Sequence, residues 1–176
     1  MTKAKFFDDS LCGNTYQMPA RVKALEDNRP YSVSIKLTSK CAGGCNYCYI
    51  NSTDAGDVYL ETERLLNLLK ELRQIGGEMI LWHGGDPLLH PDFFELSRCA
   101  WDHGILVTTL SSGLIPMREA RKLAKLHHEG AMEMIGLHLD TIDSEAYAKI
   151  NTHPGTLQKK VQGYQNLVEA GFPSQN

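Results

Sequence analysis

From Tyr31 onward, short apolar runs alternate with segments of helical period, four times in succession, and no other feature constrains the fold as tightly. The first run, 31–37 (YSVSIKL), has β-branched residues and apolar side chains at period two, the pattern of a strand. The second, 78–83 (EMILWH), is apolar almost throughout, which suits a strand buried on both faces. Two more follow at 105–110 (ILVTTL) and 132–139 (MEMIGLHL). Between them, 61–75 reads as a helix with Leu65, Leu68, Leu69, Leu72 and Ile75 on one face, stopped by Gly76 and Gly77. A second helix opens with Pro91 at its first position and ends by Gly104. A third spans 116–128 and stops at Gly130. A fourth opens at Gly155-Thr156, carries Leu157, Val161, Tyr164, Leu167 and Val168 on one face, and ends at Gly171 and Pro173. Residues 144–150 also read as helical. Four βα units in series require an α/β fold, a parallel sheet with helices outside. Residues 1–29 carry little periodicity and read as an extension with a short helix around Ala20 to Leu25; the core is 30–176.

In such sheets ligands bind beyond the carboxyl ends of the strands. Each chemically notable segment falls there. The first strand is followed by Cys41-Ala-Gly-Gly-Cys45-Asn-Tyr-Cys48, which is C-x3-C-x2-C with Tyr47 before the last cysteine. The second is followed by Gly84-Gly85-Asp86-Pro87, the third by Ser111-Ser112-Gly113, and the fourth closes on His138-Leu139-Asp140. Three clustered cysteines bind metal or do chemistry more often than they form disulfides. Three thiolates can hold three irons of a [4Fe–4S] cluster, which normally takes four, and so leave one iron open. Gly43 and Gly44 would let the backbone wrap around such a cluster. Zinc on three cysteines and a histidine is the alternative, although zinc sites favour cysteines about two residues apart, unlike the first gap here.

The spacing and its aromatic resemble the signature of the radical S-adenosylmethionine (SAM) superfamily. The resemblance covers about residues 31–173 and implies a partial (β/α)6 barrel, a [4Fe–4S] cluster on Cys41, Cys45 and Cys48, and SAM as co-substrate. In that family SAM chelates the open iron, and one electron breaks its sulfonium bond. The resulting 5′-deoxyadenosyl radical abstracts hydrogen from a substrate. The resemblance also implies an electron donor such as flavodoxin or ferredoxin, and a peptide or small-molecule substrate. SAM contacts are expected from Tyr47, Gly84, Gly85, Asp86, Ser111, Ser112 and His138. The family turn is Gly-Gly-Glu-Pro, so Asp86 keeps the charge and shortens the reach. A side chain at Gly85 is expected to block SAM and spare the cluster. The family often has Thr-Asn-Gly where Ser111-Ser112-Gly113 stands; these serines serve SAM or substrate, or cap the loop. His138 stands where many members have serine; it contacts SAM, moves a proton, or makes a structural hydrogen bond. No residue is singled out as catalytic.

His83 is expected at the rim, and His90, His127, His128 and His153 at helix ends or the surface. Cys99 reads as a core residue of a helix, and Cys12 has no assigned role. The net charge of −3 gives no electrostatic reason to expect nucleic acid. With no apolar run of the roughly 20 residues that cross a bilayer, and no secretory signal, the expectation is a cytoplasmic protein without membrane contact. The family core has six βα units and four are visible, so the core is expected to be incomplete at its C-terminus. A partner subunit or a dimer would then cover the open edge of the last strand. A catalytically inactive iron–sulfur or SAM-binding module is the alternative function.

Overall fold

A computed structural model describes residues 18–173; Cys12 lies outside them. Strands β1 (Ser32–Thr38), β2 (Met79–Gly84), β3 (Leu106–Ser111) and β4 (Met132–Leu137) form one sheet in that order, each parallel to its neighbour. Helix α1 (Met18–Glu26) precedes the sheet. The connections carry α2 (Thr62–Gln74), α3 (Phe93–Asp102) and α4 (Met117–His128), and α5 (Ser144–Ile150) and α6 (Thr156–Glu169) follow β4. The order of elements is the one the alternation demands.

Strand periodicity decides where the core sits. Ile35, Leu37, Ile80, Trp82, Val107 and Met132 are buried and meet Leu65, Leu69, Phe93, Leu96, Ala120 and Leu123 of the helices. Each such side chain contributes roughly 1.5–3 kcal/mol on leaving water. Residues of the opposite set face away from that layer. Lys36 is exposed beside a half-buried His83, its register partner, and Leu110 and Met134 are exposed. One face of β2 is therefore only half covered, where burial on both faces was expected.

The helices depart from the sequence reading in detail. In α2, Leu65, Leu69 and Leu72 are buried, but Leu68 and Ile75 are exposed. In α6 the buried set is Leu157, Lys160, Gly163, Asn166 and Leu167, while Tyr164 and Val168 are exposed. The cause is Gly163: a Cβ there would lie 2.0 Å from Gly113 O, so α6 turns its glycine inward to let the backbones meet. Helix α3 starts at Phe93, after Asp92, and Pro91 lies outside it; the Asp92 carboxylate accepts from Thr62 Oγ1 at 2.5 Å and ties α3 to α2. β4 ends at Leu137, leaving His138 to Asp140 in the following loop. His90 is buried, with Nδ1 accepting from Asp92 N (3.2 Å) and Nε2 donating to Leu60 O (2.9 Å). Among the described residues no helix is long and apolar enough to cross a membrane.

Candidate functional site at the carboxyl rim

Past β1 the chain stays bonded to its surroundings instead of looping free. Ser39 N donates to Val58 O (2.9 Å), Cys41 N to Thr53 O (2.7 Å), and Thr38 Oγ1 to Val58 O (2.9 Å). On the other side Gly85 N donates to Thr38 O and Asp86 N to Lys40 O, both at 2.7 Å. The Gly84-Gly85 turn thus extends the β1–β2 pairing into the cysteine loop. A Cβ on Gly85 would lie 2.1 Å from Lys40 O, so the close approach this glycine permits is to the cysteine loop. A side chain there strikes that loop first, which changes the expected consequence of substituting it.

Cys41, Cys45 and Cys48 are free thiols, half-buried, opening onto one cavity of about 420 Å³. Gly84, Gly85, Ser111, Ser112, His138 and Asp140 line the same cavity, so the loops after all four strands meet at it. Burial pushes the Cys41 thiol up to about 11, against a hydrogen bond from Gly43 N, and the charges acting on it (Asp86, Cys45, Cys48) raise it further. A bound metal cation would lower it and favour the thiolate. Among the described residues no three His, Cys, Asp or Glu side chains converge as ligands of one metal ion. A zinc site needs all its sulfurs about 2.3 Å from one point, whereas a cluster takes each sulfur at a different iron. The three thiols are donors of the kind a cluster would take, one at each of three irons.

Asp86 is turned inward. It is buried, and its Oδ2 accepts from Ser111 Oγ (3.1 Å), Ser112 N (3.1 Å) and Ser112 Oγ (2.5 Å), while Oδ1 accepts from Leu88 N (3.2 Å). Burial raises its pKa in spite of those bonds. The shorter side chain, noted in the sequence as a loss of reach, joins the β2 and β3 loops. Both serine hydroxyls are engaged by it, and Ser111 Oγ also accepts from Gly113 N at 3.1 Å.

Tyr47 spans to the loop after β4. Its hydroxyl lies 2.7 Å from His138 Nε2 and donates to Asp140 Oδ2 at 2.5 Å; His138 Nε2 is 3.1 Å from Asp140 Oδ1. Burial, then the Asp140 bond, pushes the Tyr47 hydroxyl above the usual tyrosine range. Burial works to raise Asp140, but the Tyr47 bond and the His138 charge hold it below the usual carboxylate value. Lys160 of α6, buried to 1% exposure, donates to His138 O at 3.1 Å and lies 5.4 Å from the centroid of the Tyr147 ring.

Two partners of this site carry no signal in the sequence: Lys160, and the end of α5 with the segment after it. Asn46 N donates to Ile150 O (3.1 Å), Asn46 Nδ2 to Lys149 O (3.0 Å), and Asn151 Nδ2 to Gly43 O (2.7 Å). Thr152 donates to Gly44 O through N (2.7 Å) and Oγ1 (3.0 Å). A Cβ on Gly44 would meet Asn151 Oδ1 at 2.6 Å, so the space this glycine leaves is filled by protein. A lone asparagine and a lysine inside a helical pattern carry no signal of their own in one sequence.

The Radical SAM superfamily sequence profile matches residues 35–176. The chain is 28% identical over 151 residues to the AdoMet-dependent heme synthase of Methanosarcina barkeri, covering 84% of this chain and 42% of that protein. It is 29% identical over 144 residues to the probable GTP 3′,8-cyclase of Methanosarcina mazei, covering 78% and 42%. It thus spans about two-fifths of the length of these curated relatives, which are enzymes by name. The solved structure of anSMEcpe with bound AdoMet and Cp18Cys peptide has the same fold (TM-score 0.65, 22% identity, 80% of this chain and 40% of that one). So does Streptococcus suis SuiB bound to precursor peptide SuiA (TM-score 0.63, 18% identity, 97% and 39%). A profile match over most of the length, a parallel sheet of the same fold, and three thiols at the rim of that sheet agree: this chain belongs to the radical SAM superfamily.

Proposed function

We propose that this chain carries the cluster and SAM site of a radical SAM enzyme, within 30–176, with 1–29 as an extension. Cys41, Cys45 and Cys48 would hold a [4Fe–4S] cluster. The observation that carries the reading is that all three thiols open onto the cavity where the loops after β2, β3 and β4 converge. When bound, the cluster supplies the electron that cleaves SAM to methionine and a 5′-deoxyadenosyl radical, which takes hydrogen from a substrate. Gly84 and Gly85 offer backbone groups to the SAM amino group, and Ser111, Ser112 and His138 offer polar atoms on the remaining walls; Tyr47 lies outside that lining and acts through its bonds to His138 and Asp140. Asp86 acts through the two serines it holds. The reductant is a flavodoxin or ferredoxin, and the substrate a peptide or a small molecule. Reduced thiols of this kind belong in the cytoplasm.

The experiment is anaerobic reconstitution with iron and sulfide, reduction, addition of SAM, and assay for 5′-deoxyadenosine. Product is the expected result. A cluster with no product would support the binding-module alternative, or a subunit that needs a partner. Failure to take up iron and sulfide would overturn the proposal.

A further inference from the structure

The cysteine loop is clasped from outside by a stretch of chain that no cofactor motif contains. Asn151 is 5% exposed, and every polar atom of its side chain is used locally. Nδ2 donates to Gly43 O at 2.7 Å and to Tyr147 Oη at 2.9 Å, and Oδ1 accepts from His153 N at 2.8 Å. Tyr147 is fully buried, with its hydroxyl 2.7 Å from Thr156 Oγ1, so the amide is held from behind. The backbones of Cys45 and Asn151 pair in an antiparallel bridge. Gly43, the residue whose carbonyl Asn151 grips, donates its own N–H to Cys41 Sγ at 3.3 Å.

These bonds form one line: buried tyrosine, asparagine amide, Gly43, Cys41 sulfur. Glycine has the softest backbone of any residue, so the direction of its N–H depends on what restrains it. Hydrogen bonds to cluster sulfurs shift the reduction potential of an iron–sulfur centre, because they stabilise the charge the added electron brings. We infer that Asn151 is a positioning residue: by fixing Gly43 it aims an N–H at the Cys41 sulfur and makes the bound cluster easier to reduce. The inference rests on the reading of Cys41 as an iron ligand.

The test uses the reconstituted chain and an EPR-monitored redox titration. Asn151→Leu keeps about the same size, adds no charge and removes the donor to Gly43 O. Its ratio of reduced to oxidised cluster at fixed potential should fall about tenfold, a shift of about 59 mV to more negative values for a one-electron couple. Tyr147→Phe removes only the rear support and should give a smaller shift of the same sign; it serves if the first variant does not fold. Thr152→Val loosens the same clasp at Gly44, which keeps its bond from Thr152 N, and should leave the potential in place. An unchanged potential in Asn151→Leu and Tyr147→Phe at full cluster content would overturn the inference. So would an equal shift in Thr152→Val, which would mark general loosening. Failure of the unsubstituted chain to form a cluster would remove the reading beneath the inference, and the inference with it.

Discussion

Gly85 shows how much of a cofactor site is decided between protein atoms. With Lys40 O 2.1 Å from any Cβ, Gly85→Val forces apart the β2 turn and the cysteine loop. Overpacking of this kind costs about 1–3 kcal/mol. The variant should lose that much in urea denaturation and should also take up less iron and sulfide; full cluster content would show that the loop can give way. His83 is the residue through which pH should act. Burial, then the charge of Lys36, holds its pKa below the ordinary histidine value, so the fold favours the neutral ring. The stability this contributes is complete above about pH 6.5 and is lost as pH falls through the folded value. Lys36→Met should move the ring titration upward, toward about 6.5, in proton NMR. No movement would mean that the lysine charge does not reach the ring.

Helix α2 separates what periodicity reports from what it leaves out. Leu69 is fully buried and Ile75 is 59% exposed, although both fell on the predicted stripe. Leu69→Ala should cost about 2–5 kcal/mol and Ile75→Ala less than about 0.5 kcal/mol, read as a shift in urea midpoint at constant slope. Equal costs would mean that the stripe is buried across its full width. Spacing of 3.6 marks the direction of an apolar face, but its width depends on how closely the helix meets the sheet. The same gap explains α6, where Tyr164 and Val168 looked inward until Gly163 was found against Gly113 O. The alternation of elements and the three cysteines were legible because both are local patterns. The clasp by Asn151 and Thr152, the burial of Lys160 and the inward turn of Asp86 were not. Each depends on contacts between segments far apart in the chain.

Among the described residues the sheet ends at β4. Among them β4 has a strand neighbour only in β3, and Met134, Ile135, Leu137, Tyr164, Leu167 and Phe172 line an apolar groove beside it. Unpaired strand edges associate. The chain of 176 residues should therefore gain apparent mass with concentration in sedimentation velocity. Replacing the exposed Tyr164 and Val168 by lysine should reduce that gain, with stability changed by less than about 0.5 kcal/mol. A mass independent of concentration would mean that this edge is protected.

The bond from Asn151 to Gly43 joins positions 108 residues apart. At translation rates of about 5–20 residues per second, the cysteines leave the ribosome roughly 5–20 s before the segment that clasps them exists. During that interval the three thiols belong to a loop held by residues 53–58 and by the turn after β2 but not yet by Asn151 and Thr152. Delivery of iron and sulfide to a seated loop must wait until the clasp has been made.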